Sequence, residues 1–335
     1  MPVKRRRNEL VKERECSMRV QLDETAAFLK EQDDFLILCH QSPDGDTMGS
    51  AFALYFALLQ LGKRAQIACA DGFPERFRLC PLPEFAGFEP QTVVAVDVAD
   101  SKLLGAAMIS YADRVALCID HHPTNTHYAK RLLLSERAAA TCEIVYHLLG
   151  VLGTDITPLI ASFLYMGIST DTGCFKFSNT TAETHLAAAE LMKLGADYLS
   201  INVRFFDTKS KGRLLVERQA LESIRFFFAE RCALMVISRK MITTSGADES
   251  ELDGVSAIPR QIEGVQVGVT LREREDGKFK VSVRTGESVD ASKICKLLGG
   301  GGHMRASGCV VDGSCETAVQ KIVQAVADST GWNGD

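Results

Sequence analysis

Across the first two-thirds of the chain, short and almost uninterrupted apolar runs alternate with longer stretches of helical periodicity. FLILCH (35 to 40), AQIACA (65 to 70), TVVAVDV (92 to 98) and RVALCID (114 to 120) read as buried strands. LDETAAFLKEQ (22 to 32), SAFALYFALLQLG (50 to 62), TCEIVYHLLGVLG (141 to 153) and THLAAAELMKLGAD (184 to 197) read as helices. LIASFLYMGIST (159 to 170) is apolar up to a polar end, and its type stays open. QSPDGDTMG reads as a polar turn after the first strand. Strands without polar alternation, separated by helices, imply a parallel sheet covered on both faces. Ligands gather beyond the carboxyl ends of such strands.

The pattern changes after about residue 200. INVRFFDTKSKGRLLVERQALESIRFFF (201 to 228) reads as helical, with a break at DTKSKG. CALMVIS (232 to 238), VQVGVTLRERE (265 to 275) and KFKVSVRT (278 to 285) read as strands. The EDGK between the last two suits a type I′ hairpin turn. SELDGVSAIPRQIE suggests a helix interrupted at Pro259, and CETAVQKIVQAVADS (315 to 329) a final helix. Between them lie the glycine run LGGGGH (298 to 303) and a strand-like GCVVDG. The expected fold class is therefore α/β: a parallel-sheet N-terminal domain and a smaller α+β C-terminal domain joined by a helical linker. The expected division is a flexible extension over 1–18, a first domain over 19–200, linker helices over 201–228 and a second domain over 229–331.

A chain of 335 residues is long enough for two domains. With 46% hydrophobic and 24% charged residues it is neither disordered nor a small disulfide scaffold. A net charge of −5 excludes a broadly cationic surface, so nucleic acid would be handled at a local site, with metal ions. The eleven cysteines are scattered and form no C-x-x-C pair, which fits free thiols in a reducing, cytoplasmic compartment. No apolar stretch is long enough for a membrane span. The basic start MPVKRRRNELVKERE has no apolar segment behind it, so a secretory signal is not expected, and Met18 offers an alternative start.

Acids and histidines collect where the apolar runs end. FLILCH leads to His40, Asp44 and Asp46; VVAVD ends on Asp97; VALCID ends on Asp120, His121 and His122; LYMGIST leads to Asp171. One Asp at a strand end is ordinarily a cap or a turn residue. Four such ends on one sheet edge are different. Crowded carboxylates raise each other's pKa, and a cation relieves them. Oxygen donors with some imidazole suit Mn²⁺, with Mg²⁺, Co²⁺ or Fe²⁺ as alternatives. Six donors suit two ions sharing a carboxylate. The absence of cysteine argues against structural zinc.

HQSPDGDTMGS, VDVAD, DHHP and STDTGCFKFSNTT resemble, in order, the four motifs of the DHH-family phosphoesterases. VSVRT followed by LGGGGHMRASG resembles the associated substrate-binding domain of that family. The similarity runs from about residue 20 to about residue 330, and the length is most similar to the NrnA-type members. The resemblance implies that His40, Asp44 and Asp97 hold one Mn²⁺, and that Asp46, Asp97, His121 and Asp171 hold the other, with Asp97 bridging. It implies that His122 is catalytic and faces the phosphate, while Asp120 orients the neighbouring histidines. Hydroxide from a water acidified by the two ions would attack phosphorus in line with the leaving oxygen. In the second domain Arg284 would clamp a phosphate. Gly300, Gly301 and Gly302 would offer N–H donors, and His303 a donor or stacking face. Arg305 and Ser307 stand where small residues are common in relatives. His127, His147 and His185 lie off the cluster and are assigned to structure.

The implied activity is hydrolysis of oligoribonucleotides of two to five residues (nanoRNA) and of 3′-phosphoadenosine 5′-phosphate (pAp) to AMP. The implied partners are short RNA or nucleotides and no membrane, with a homodimer left open. The alternatives are a cyclic-di-AMP or pApA phosphodiesterase, a manganese pyrophosphatase, a long-strand exonuclease of the RecJ kind, or a non-catalytic nucleotide-binding module.

Overall fold

The computed structural model describes residues 17–82, 87–249 and 252–333. The basic run and most of the expected 1–18 extension lie outside the described residues. The chain forms two compact units, Met1–Thr208 and Lys209–Asp335, divided inside the stretch expected to be a helical linker.

In the first unit, β1 (Met18–Arg19), β2 (Phe35–Leu38), β3 (Ala65–Ala68), β4 (Thr92–Val96), β5 (Val115–Asp120) and β6 (Arg131–Leu134) form one parallel sheet. Its order is β1-β6-β5-β4-β2-β3. β1 and β6 were not read from the sequence: β1 has two residues, and β6 offers only a three-residue apolar run, LLL, with charged residues close by on both sides. Met18, expected to end a flexible extension, instead donates its N–H to Lys130 O at 3.0 Å.

One face of this sheet is covered by α1 (Leu22–Glu31), α2 (Gly45–Gln60), α3 (Thr141–Leu152), α4 (Pro158–Asp171) and α5 (Ala182–Lys193). Phe52 of α2 stacks on Phe163 of α4, with centroids 4.8 Å apart, at the middle of that core. The other face is covered by Leu104, Met108 and Tyr111, in and beside the 3₁₀ turns Ser101–Leu104 and Ile109–Arg114. Both faces are buried as expected, but by elements of different kinds.

The ambiguous segment 159–170 is helical. α4 is apolar all round and buried nearly all round, which explains why it shows no amphipathic period. α2 begins five residues before the expected start, at Gly45. Asp44 caps it by accepting from Asp46 N at 3.0 Å and Thr47 N at 3.1 Å, so the polar turn PDGD is largely a helix start. α2 and α4 approach closely at Gly167, where a Cβ would meet Cys142 Sγ at 2.2 Å and Asp46 Oδ1 at 2.9 Å. The unit closes with α6 (Tyr198–Asn202) and a π-helical turn, Val203–Asp207.

The second unit opens with α7 (Lys211–Glu222), then β7 (Arg225–Phe227), β8 (Cys232–Ile237), α8 (Arg239–Ser245) and a 3₁₀ run, Asp253–Gln261, that contains Pro259. β9 (Val267–Glu273), β10 (Phe279–Thr285), α9 (Ala291–Lys296), β11 (Gly301–Gly302), β12 (Ala306–Val311) and α10 (Cys315–Thr330) complete it. Its sheet runs β11-β12-β10-β9-β8-β7 and is antiparallel except between β8 and β9. The phenylalanines at 226 and 227, expected to end a helix, form β7, because pairing with β8 outweighs local propensity. The expected type I′ turn is not formed. Arg274 N donates to Lys278 O at 2.8 Å around a three-residue loop, and only Gly277 in it is left-handed (φ +75°). That is the longer loop with a glycine bulge.

Candidate metal centre

Three strand ends and two helix ends supply the cluster. His40 lies just past β2, Asp97 just past β4, and His121 and His122 just past β5. Asp44 caps α2 and Asp46 sits in its first turn. Asp171 is the last residue of α4, which corrects the expectation of a fourth strand end.

These residues converge. His40 Nε2 lies 3.6 Å from Asp44 Oδ1 and 3.7 Å from Asp97 Oδ2. His121 Nε2 lies 3.9 Å from Asp46 Oδ2, 3.7 Å from Asp97 Oδ1 and 3.5 Å from Asp171 Oδ2. Such spacings are too long for good hydrogen bonds. They suit donor atoms grouped around a common centre. Three groups of three emerge, His40–Asp44–Asp97, Asp46–His121–Asp171 and Asp97–His121–His122, and Asp97 turns Oδ2 to His40 and Oδ1 to His121 and His122. Asp97 is held at φ +60°, a left-handed conformation uncommon for a residue with a side chain.

The imidazoles are oriented as ligands. His40 Nδ1 lies 2.7 Å from Gln41 O, and His121 Nδ1 lies 3.3 Å from Ala138 O. A ring that donates Nδ1–H to a carbonyl presents the Nε2 lone pair, here toward the carboxylates.

The electrostatics ask for positive charge. Burial, then the neighbouring Asp97, pushes Asp46 up to about 7. Burial, then Asp46 and Asp97, pushes Asp171 up to about 9. Burial also raises Asp97. Burial opposes a charge on His40, yet Asp44 and Asp97 lift it to about 11. A proton on His40 there does what a cation would do. The donor set, with its oxygens and imidazoles and no thiolate, fits divalent ions of the Mn²⁺ or Mg²⁺ kind.

His122 is arranged differently. Its Nδ1 lies 2.8 Å from Oδ1 of the fully buried Asp120, whose Oδ2 accepts from Asn125 Nδ2 at 2.6 Å. Asp120 Oδ1 also accepts from His121 N at 2.9 Å. With Nδ1 engaged, the half-exposed ring has Nε2 free to meet a substrate.

Several residues that hold the cluster were missed in the sequence. Thr141 N and Cys142 N, at the start of α3, donate to Asp46 Oδ2 and Oδ1 at 2.7 and 2.8 Å. Thr141 Oγ1 donates to Asp97 Oδ1 at 2.9 Å. Asn179 Nδ2 donates to Ala139 O at 2.9 Å and Asp171 O at 3.2 Å. One signal was available: α3 starts after Ala140, which has no side chain able to cap it, so its first N–H groups needed an acceptor from elsewhere.

In the second unit a pocket of about 380 Å³ is lined by Lys280, Ser282, Arg284, Gly301, Gly302 and Ser307, among others. Gly300 is not part of it: its Cα packs against β12, where a Cβ would meet Gly308 O at 2.3 Å. His303 is exposed in the turn between β11 and β12, exchanging backbone bonds with Ala306 at 2.9 and 3.2 Å. That pairing makes Gly302–Ser307 the non-hydrogen-bonded pair, so the Gly302 N–H points off the sheet edge. The Arg305 guanidinium binds the carbonyls of Gly286 and Val289, away from the pocket.

Residues 34–168 match the DHH family, N-terminal domain, and residues 234–330 match the DHHA1 domain. The bifunctional oligoribonuclease and PAP phosphatase NrnA of Thermus thermophilus is 36% identical over 302 residues, covering 87% of this chain and 89% of that protein. The protein of that name from Bacillus subtilis is 26% identical over 83% of this chain and 90% of its own length. A crystal structure of an exopolyphosphatase-related protein from Bacteroides fragilis has the same fold, with a TM-score of 0.84, 24% identity, and coverage of 92% of this chain and 96% of that one. Among the described residues no helix is long and apolar enough to cross a membrane. The ordered acid and histidine motifs, their convergence and these matches lead to one conclusion: the chain belongs to the DHH family of divalent-metal-dependent phosphoesterases and carries the DHHA1 domain behind the catalytic one.

Proposed function

We propose that this protein is a Mn²⁺-dependent phosphoesterase that hydrolyses oligoribonucleotides of two to five residues and converts pAp to AMP. The observation that carries it is Asp97, which turns Oδ2 to His40 and Oδ1 to His121 and so joins two donor sets. The names of the relatives, which combine an oligoribonuclease with a PAP phosphatase, support the substrate class.

In this proposal His40, Asp44 and Asp97 hold one ion, and Asp46, Asp97, His121 and Asp171 hold the other. The chemistry such a pair supplies when bound is a water acidified toward neutral pH and compensated charge on the phosphoryl oxygens. The chain's own residues do the rest. Burial disfavours a charged His122, but Asp120 and then Asp97 hold its pKa up at about 9. With Nδ1 bound to Asp120, Nε2 is the ring atom that would face a phosphoryl or leaving oxygen, as a donor when the ring is protonated. Arg284 and the Gly302 N–H offer donors suited to a second phosphate or ribose.

The test is a substrate panel with Mn²⁺: labelled two- to five-mers, a 24-mer, pAp, pApA, cyclic di-AMP and pyrophosphate. Turnover of the short oligomers and pAp, with the 24-mer and pyrophosphate untouched and all activity lost to EDTA, is expected. Preference for cyclic di-AMP or pyrophosphate over the short oligomers would overturn the substrate assignment.

A further inference from the structure

One short segment, residues 138–143, supplies no ligand yet touches His121, Asp46 and Asp97 of the cluster. Ala138 O lies against His121 Nδ1, and Ala139 O accepts from Asn179, which also holds Asp171 O. Thr141 N and Cys142 N grip both oxygens of Asp46. The Thr141 hydroxyl grips Asp97. The segment is itself pinned, because the buried Glu143 carboxylate accepts from Ala139 N at 3.2 Å and from Thr184 Oγ1 at 3.0 Å.

Thr141 is the one residue of the segment that touches both Asp46, which lies near His121, and Asp97, which lies near His40, His121 and His122. Its side chain is fully buried, so no water competes for the bond. A carboxylate rotates about its Cβ–Cγ bond at little cost. The Thr141 hydroxyl removes that freedom: with Oδ1 held, Oδ2 is aimed at His40. Oδ1 has two lone pairs, and the hydroxyl occupies one of them, leaving the other for a cation.

We infer that Thr141 is a positioning residue that fixes Asp97 as the shared ligand and thereby couples the two ion sites. The inference rests on the two-ion reading above. Without the hydroxyl, Asp97 serves one site at the expense of the other, and the second ion binds weakly. Groups that orient a ligand in this way typically contribute 10- to 100-fold in metal affinity or activity.

The test compares wild type, Thr141→Val and Thr141→Ser in the full chain by calorimetric Mn²⁺ titration, by the paramagnetic resonance signal of the spin-coupled ion pair and by metal-free melting. Thr141→Val keeps the backbone N–H and the shape. It should weaken the second Mn²⁺ about 10- to 100-fold, lose the coupled signal and lower kcat more than it raises KM. Thr141→Ser should restore all three. Two Mn²⁺ bound to Thr141→Val with wild-type affinity and coupling would overturn the inference. So would a Thr141→Ser protein that melts like wild type but is as impaired as the valine variant. Wild-type protein that binds one ion or none would overturn the two-ion reading itself, a distinguishable result.

Discussion

Carboxylates are buried in two ways in this protein. In the second unit, Glu217 of α7 is almost inaccessible, and the chain neutralises it: Lys209 Nζ lies 2.8 Å from one carboxylate oxygen and Arg213 Nε 2.9 Å from the other. Burial would raise its pKa, but the two cations hold it below the usual value. In the first unit, Asp46, Asp97 and Asp171 are crowded together, and their pKa values go up. Among the described residues the basic groups that face these acids are histidines, and no lysine or arginine is paired to them. The same residue chemistry is a structural ion pair in one place and a request for an external cation in the other. Glu217 is lowered by two cations of the chain itself, whereas Asp46, Asp97 and Asp171 are raised; Asp44, which caps α2 beside His40, is lowered although it borders the same cluster. A group of buried acids that the chain leaves uncompensated marks a candidate ligand site.

Three experiments can break or sharpen this contrast. The largest effect belongs to Asp97. Asp97→Asn should lower turnover of pAp and dinucleotides by roughly 10³-fold or more, because the shared charge is worth several kcal/mol. Its metal-free melting temperature should stay at or above that of wild type, since a desolvated, repelled carboxylate has been removed. Retention of turnover within tenfold, or a marked fall in metal-free melting, would place Asp97 in the structural class with Glu217.

The next effect is at His122. His122→Ala should lower kcat roughly 10²- to 10⁴-fold. Mn²⁺ affinity should be nearly unchanged, because Nδ1 belongs to Asp120. A matching loss of Mn²⁺ binding in a calorimetric titration would make the ring a ligand instead.

The smallest effect is at Glu217, and it is on stability. Glu217→Gln should cost about 2 kcal/mol at neutral pH, the scale of a charged hydrogen bond. The pKa of Glu217 is depressed on folding, so its contribution is present above the unfolded value of about 4.3 and lost as pH falls through the folded value. The difference between variant and wild type should therefore shrink as the pH is taken below the unfolded value and on through the depressed folded one. Trp332, the sole tryptophan, lies against Phe228 in the second unit, so its fluorescence follows that unit during urea unfolding. An unchanged midpoint at neutral pH would remove Glu217 from the comparison.

Much of the site was legible because ligands and strands are neighbours in the chain. His40, Asp97, Asp120, His121 and His122 each follow directly on an apolar strand, and the parallel sheet carries those ends to one edge. Asp171 was found beside an apolar segment whose type the pattern left open. A helix buried on all sides and a buried strand look alike in composition. In the second unit the hairpin was visible at Asp276–Gly277, but its loop length was not, since only Gly277 takes the left-handed conformation. β7 and β11 were not visible, because three- and two-residue edge strands exist through their partners.

Without coordinates, the apolar pattern pointed to an α/β fold, the acids and histidines near the strand ends pointed to a divalent-metal site, and the ordered motifs resembled the DHH-family phosphoesterases. Tertiary structure alone decided how those groups are held. Thr141 reaches Asp46 across 95 positions, and it does so only because α2, α3 and α4 pack at the distance that Gly167 allows. Periodicity records which face of an element is buried. It carries no record of which distant hydroxyl or N–H will meet a carboxylate there, since that contact is set by the packing of whole helices.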